Sequence, residues 1–270
     1  MITFKRLGRW GRLGNQLFQY ATMVSVAKRN YYDYGIPKEN TLVSARFGDT
    51  ENVYKCDIFD LFDADKECHL YDNLIADHYY EDLSCYYNTE VFNIKDNTDI
   101  LGYFQGEQYF LWCEALIREK FRFRSTLVEE AKKYMDVSLL RDPIALHVRR
   151  GDYLNLQTVH PIPSIEYYKK SLEMLDHRGR VVLVFSDDVS WVKENLAEEL
   201  QSLVVVETHN QNLDLILMSQ CKDFVIANSS FSWWGAWLSE NSSKRVMCPK
   251  NWFGNHTNPL QQMTRHFELV

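Results

Sequence analysis

The chain has 270 residues, more than one hydrophobic core comfortably serves, so two domains of roughly 100–150 residues are expected. Hydrophobic residues at 46% and charged residues at 25% are the proportions of a soluble globular protein. The formal net charge of −7 excludes the basic footprint of a nucleic-acid binder, while leaving room for a site with local positive charge.

The 6 cysteines (Cys56, Cys68, Cys85, Cys113, Cys221 and Cys248) are scattered without a C-x-x-C pair. Neither a zinc site nor a disulfide framework is expected, and free thiols in a reducing compartment follow. The first residues carry Lys5, Arg6, Arg9 and Arg12 but no apolar run long enough for a signal peptide. No segment approaches the roughly 18 apolar residues of a membrane span. The expectation is a cytoplasmic protein that touches a membrane surface only peripherally, with the sequons at Asn228, Asn241 and Asn255 unglycosylated.

In chain order, Ile2–Phe4 reads as a short strand entering Gly8-Arg9-Trp10-Gly11-Arg12-Leu13-Gly14-Asn15-Gln16, with an apolar helix over Leu17–Ala27. Strand, glycine-rich loop and helix make the outline of a phosphate-binding corner. The spacing G-x-x-G-x-x-G is not the dinucleotide fingerprint, however. Either the loop brings its backbone, Arg12 and Asn15 to a ligand, or it is a plain turn. Residues 33–97 are irregular and rich in Tyr, Phe and Asp. Within them Asp63-Ala64-Asp65 has the D-x-D form of a metal site, but no strand leads into it, and a solvated loop is the better account. Asp99–Gln105 reads as a strand, Glu107–Phe121 as a helix and Leu127–Met135 as another. The domains are therefore placed at 1–140 and 141–270.

The second half is clearer. Strand Ile144–Arg149 follows Pro143 and ends in charge; helix 164–176, strand 181–185 and a helix reaching Leu200 come next. Strand 203–206, helix 213–219, strand 224–227, helix 233–238 and strand 245–248 complete the series. Strands alternating with helices mean a parallel, doubly wound sheet whose ligands bind outside the strands' carboxyl ends. His147–Asp152, Ser186–Asp188 and Asn228–Ser232 all fall at such ends.

Arg149 and Arg150 are adjacent guanidiniums at a strand end, and they require an anion. That anion is a phosphate-bearing ligand or the Asp and Glu side chains nearby. Asn228-Ser229-Ser230-Phe231-Ser232 opens a helix whose first N–H groups can face an anion, beyond the single cap that a helix needs. Asp214 is either a partner for guanine N1–H and N2–H or an exposed acid in a helix's first turn.

The stretches Gly11–Ala21, Gly102–Gln105, His147–Tyr153, Phe185–Asp188 and Ala227–Leu238 together resemble the motif set of glycosyltransferase family 11, the α-1,2-fucosyltransferases, in its short bacterial form. The resemblance implies an α/β fold of two facing Rossmann-like domains (GT-B type), with the amino-terminal one on the acceptor side and the other holding the donor. It implies GDP-β-L-fucose as donor and a galactose-terminated oligosaccharide or glycolipid as acceptor. Transfer is to the galactose 2-hydroxyl with inversion, and without metal or other cofactor. By this matching Arg149 and Arg150 hold the leaving diphosphate, and His147 and Asp214 touch the nucleoside. Asp152, Asn228, Ser229, Ser230, Phe231 and Ser232 complete the donor pocket; Arg12 and Asn15 face the donor, Asn15 in the catalytic cleft, and with the 102–109 loop they line the acceptor. Gly106 and Arg12 stand where many members have Ser and Gly. For the base that takes the acceptor's proton, His160 has a suitable ordinary pKa; Asp152 and a carboxylate of the first half are its rivals.

Overall fold

The computed structural model describes residues 1–36, 43–47, 50–54, 56–63, 77–82, 86–196, 203–254 and 267–270. Ala64 and Asp65 of the D-x-D stretch and the Asn255 sequon lie outside them. The chain forms two compact units, Met1–Arg124 and Ser125–Val270.

The first unit carries β1 (Ile2–Thr3), α1 (Leu13–Arg29), β2 (Tyr34–Gly35), β3 (Val43–Phe47), β4 (Thr50–Tyr54), α2 (Ile58–Leu61), β5 (Asp77–Tyr80), β6 (Thr98–Leu101) and α3 (Glu114–Lys120). A parallel sheet in the order β2-β1-β6-β5 forms its centre, and β3 and β4 pair as an antiparallel hairpin. Four of these strands fall within the stretch that the sequence leaves irregular. Helix α1 is buried from Gln16 through Ala27, which explains why its apolar pattern is so legible. The helix expected over 107–121 is instead two 3-10 turns followed by the shorter α3. The Tyr109 carbonyl accepts the Ser25 hydroxyl at 2.6 Å, and Cys113 N–H bonds Phe110 O instead. One rung of an α-helix is thereby given to a tertiary contact.

The second unit begins with α4 (Ser125–Tyr134), followed by β7 (Ile144–Val148), α5 (Ile165–Met174), β8 (Val182–Ser186), α6 (Val189–Asn195), β9 (Leu203–Val205), α7 (Gln211–Ser219), β10 (Asp223–Val225), α8 (Ser230–Leu238), β11 (Val246–Cys248) and β12 (Glu268–Leu269). All six strands are parallel, in the order β12-β11-β10-β7-β8-β9. The units divide at Arg124, ahead of the 140/141 boundary expected from sequence. Helix α4 packs on α7, and Tyr134 Oη accepts Glu207 N–H at 3.0 Å.

Every residue of β7 is buried, as a continuous apolar run in a central parallel strand requires. Leu146 and Val148 pack with Val182 and Val184 of β8, Val225 of β10 and Leu172 of α5. At the amino-terminal edge of this sheet an ionic lattice ties strand beginnings together. Arg180 donates to Asp223 at 2.6 Å and to Asp142 O at 2.7 Å. Arg245 donates its backbone N–H to Asp223 at 2.7 Å and its guanidinium to Glu268 at 2.8 Å. Strand β12, which the sequence does not signal, is held to the edge by this last pair. Among the described residues no helix is long and apolar enough to cross a membrane.

Candidate functional site

In the second unit, β7 and β10 are neighbours from which the chain departs in opposite directions. After β7 it builds β8 and β9 on one side; after β10 it builds β11 and β12 on the other. Such a switch point leaves a crevice at the strands' carboxyl ends, where ligands of open α/β sheets bind. His147–Asp152 leaves β7 there and Asn228–Ser232 leaves β10, while Asp187 and Asp188 follow β8 next door.

The arginine pair is clasped. Arg149 donates Nη1 to Asp187 at 2.7 Å and Nη2 to Asp152 at 2.5 Å, and its guanidinium lies 5.2 Å from the Tyr153 ring centre. Arg150 donates Nε to Asp188 at 3.0 Å and stacks 4.3 Å from the Trp191 ring. The other Asp187 oxygen accepts Arg150 N–H at 2.9 Å. A Cβ at Gly151 would run into the Asp187 carboxylate, which would have to shift from Arg149 to admit it. Two guanidiniums against three carboxylates leave one negative charge. Arg149 is thus engaged through both Nη atoms, whereas Arg150 meets its carboxylate through Nε alone among the described residues.

Tyr153 joins three segments. Its ring lies by Arg149, its hydroxyl donates to Asn228 O at 3.1 Å, and His160 stacks on it at 4.6 Å, nearly parallel. The His160 ring is followed by Phe253 at 5.7 Å. Partial burial lowers the His160 pKa, with Asp152 pulling it up and Arg149 down. His147 is buried beside Phe231, ring centres 5.7 Å apart. Burial, reinforced by Arg149, pushes its pKa down to about 3, so the ring is neutral. Its Nδ1 has no hydrogen-bond partner among the described residues.

Asn228 donates Nδ2 to Pro161 O at 2.9 Å and to Trp252 O at 3.0 Å, tying two loops to the end of β10. Its Oδ1 is buried without a partner among the described residues. Ser229 occupies the N-cap of α8 without making a capping bond through its side chain. Ser230 and Phe231 are half-buried at the helix's open end. Ser232 differs from the sequence expectation: it is fully buried, and its hydroxyl turns back to Ser229 O at 3.3 Å and Ala227 O at 3.5 Å. Asp214, in the first turn of α7, is half-buried rather than an exposed acid. It accepts the Thr208 hydroxyl at 2.6 Å. Burial raises its pKa, against the pull of Thr208 and His209.

In the first unit, Asn15 accepts a hydrogen bond from Gln105 Nε2 at 2.8 Å. Gly11, at φ 96°, packs so tightly on Asn15 that a side chain at 11 would displace it. Gln16 exchanges hydrogen bonds with Asp57, and Gln19 donates to Trp10 O and Gly102 O, so these two hold the loop rather than face a ligand. Arg12 is exposed, and Trp10 and Tyr103 lie ring to ring at 6.0 Å. Sequence reasoning missed Tyr153 and Trp191 as supports of the arginines, although Tyr153 stands inside the motif. It also missed Glu81, a buried carboxylate against the 102–105 turn. No signal marked that residue in its unpatterned surroundings.

Comparison with known proteins gives a consistent answer. Residues 6–263 match the model of Glycosyl transferase family 11. An alpha-1,2-colitosyltransferase of Escherichia coli is 34% identical over 169 residues, 60% of this chain and 58% of that protein. Galactoside alpha-(1,2)-fucosyltransferase 1 of Bos taurus is 24% identical over 248 residues, 85% of this chain and 64% of that protein. In both cases the chain spans less than two thirds of the relative's length. The crystal structure of POFUT1 in complex with GDP-fucose shares the fold, with a TM-score of 0.55 at 15% identity over 90% of this chain and 95% of that one.

Proposed function

Because the chain belongs to glycosyl transferase family 11, we propose that it transfers L-fucose from GDP-β-L-fucose to the 2-hydroxyl of a terminal β-galactoside, with inversion and without a metal ion. The observation that carries this reading is the convergence of Arg149, Arg150 and the open end of α8 at the switch point between β7 and β10.

As the bond from fucose C1 to phosphate oxygen breaks, the sugar becomes oxocarbenium-like and the diphosphate gains negative charge. Donors that face that charge stabilise it, each removed donor typically costing about 3–4 kcal/mol of barrier. Arg149 supplies a two-pronged fork once Asp187 or Asp152 lets go, and the first amides of α8 supply partial positive charge. Ser229, Ser230 and Phe231 line that end, while Ser232 acts only by shaping the turn. Neutral His147 and Asp214 serve the nucleoside, and Asn228 holds the pocket's two loops. The acceptor O2 attacks C1 from the face opposite the leaving GDP, and its proton passes to His160, which is neutral near pH 7 and able to take it. Asp152, engaged by Arg149, is the weaker base. Acceptor recognition is assigned to the first unit through Arg12, Asn15 and the turn over 102–109. A cytoplasmic location, with a glycan or glycolipid acceptor, fits this chemistry.

The test is to combine the protein, GDP-fucose and a panel including lactose and N-acetyllactosamine after exhaustive dialysis against EDTA. A product fucosylated on O2 of galactose with an α linkage is the expected outcome. Fucose on O3 or O4, or activity restored only by Mg²⁺ or Mn²⁺, would overturn it. A second reading is favoured by the 34% identity to an alpha-1,2-colitosyltransferase, namely that the transferred sugar is colitose. Turnover with a colitosyl donor but not with GDP-fucose would select it.

A further inference from the structure

Glu81 directly follows β5 and is 9% exposed. One of its carboxylate oxygens, Oε2, accepts the backbone N–H groups of Tyr103 at 2.7 Å and Phe104 at 2.8 Å. The other, Oε1, accepts the Tyr109 hydroxyl at 3.2 Å. The approach is close enough that a Cβ at Gly102 would collide with the Glu81 side chain. Phe104, fully buried, is held at φ 48°. A non-glycine residue stays in that left-handed region only where its surroundings over-determine it. Here the overdetermination is visible, since the amides of both residues 103 and 104 are taken by a single oxygen.

The next residue, Gln105, is the one that donates to Asn15 Oδ1 at 2.8 Å. A continuous path of contacts thus runs from Glu81 through the 102–105 turn to the Asn15 carboxamide. We propose that Glu81 is a positioning residue for acceptor recognition: it sets the 102–105 turn, and through Gln105 the orientation of Asn15. This rests on the assignment of Asn15 and the turn to the acceptor. A carboxylate is suited to the task because two converging N–H groups match the lone pairs of one oxygen. Three donors also offset part of the cost of taking the carboxyl out of water. Burial still pushes the Glu81 pKa up, against those three hydrogen bonds.

The experiment compares Glu81→Gln and Glu81→Ala with the unaltered protein, reading initial rates with lactose as acceptor, GDP affinity by calorimetry, and amide hydrogen exchange at Tyr103 and Phe104. Glutamine retains a carbonyl oxygen for both amides, and its acceptor KM should stay within about threefold. Alanine leaves both amides unpaired, so KM for lactose should rise about tenfold or more, GDP affinity should hold within about twofold, and exchange at 103 and 104 should accelerate. Gln105→Ala cuts the path beyond the buried carboxyl and is expected to show the same KM signature even if Glu81→Ala does not fold. Absence of transfer by the unaltered protein defeats the assigned reaction; the exchange result still decides whether Glu81 holds the turn. Unchanged lactose KM in Gln105→Ala, equal damage to lactose KM and GDP affinity in Glu81→Ala, or a Gln variant as impaired as the Ala variant, each overturns the proposal.

Discussion

Replacing Asp214 by Asn tests the nucleoside assignment. The two side chains have the same shape, and the carboxamide oxygen of the variant can still accept the Thr208 hydroxyl, which lies 2.6 Å from the Asp214 carboxylate. Fold stability should therefore change by less than about 1 kcal/mol. What changes is the outer atom of the group, from a carboxylate oxygen to an NH₂. Guanine offers two donors, N1–H and N2–H, and a donor facing a donor leaves a half-buried hydrogen-bonding group unsatisfied. That costs about 1–3 kcal/mol, which is a rise in Kd for GDP of about 5- to 150-fold. Inosine diphosphate lacks the exocyclic amine and sharpens the measurement. The unaltered protein should prefer GDP over inosine diphosphate by about 1–2 kcal/mol, and the variant should lose most of that preference, a coupling that a thermodynamic cycle isolates. Isothermal titration of both nucleotides against both proteins gives all four numbers. A variant with the same GDP affinity and the same preference would refute the reasoning and leave Asp214 as the anchor of Thr208 alone.

Arg149→Lys keeps the charge but cannot span Asp152 and Asp187 or present a fork to a diphosphate, so turnover should fall about 100-fold or more; steady-state rates that stay within about threefold would contradict the role. Asp187→Asn loosens the clasp on Arg149 while its amide oxygen can still receive Arg150 N–H, and GDP should bind more tightly by about 1 kcal/mol. Weaker binding in calorimetry would mean that Asp187 touches the ligand itself. His147 is neutral in the fold, with a pKa of about 3, and takes a proton on unfolding below its ordinary 6.5. Its contribution to stability is present above pH 6.5 and is lost as pH falls toward 3, by about 1.4 kcal/mol per unit. Urea titrations of the protein and of His147→Gln across that window should differ in slope, and parallel slopes would refute the burial argument.

The parts legible in sequence are those set by local pattern. The β7 run Ile144–Val148, the alternation of strands and helices after it and the placement of polar clusters at strand ends all follow from periodicity, and all are found. In the first unit α1, β1, β6 and, in part, α3 announce themselves. Strand β5, Asp77-His78-Tyr79-Tyr80, is polar and largely exposed, so no apolar alternation marks it. Glu81 acquires its role from the pairing of β5 with β6, a contact between segments that no local window contains. The same limit applies at the arginines. Their need for anions is readable in Arg149-Arg150, whereas the choice of Asp152, Asp187 and Asp188 depends on β8 lying next to β7. Ser232 shows the converse. Its residue type suits phosphate, but the turn of α8 directs its hydroxyl inward.

The ionic lattice at the opposite edge of the second sheet has an evolutionary corollary. Arg180, Asp223, Arg245 and Glu268 bind the beginnings of the strands to one another, Asp223 receiving both arginines at 2.6 and 2.7 Å. The segments that shape the crevice leave from the strands' far ends. Foundation and workshop thus share the strands and little else. Substitutions in loops 150–163 and 249–254, which Asn228 and the pairing of Gly254 N–H with Val159 O hold to the end of β10, leave that floor untouched. A lineage adapting to a new sugar can concentrate its substitutions at one rim of the sheet while the other keeps the strands in register.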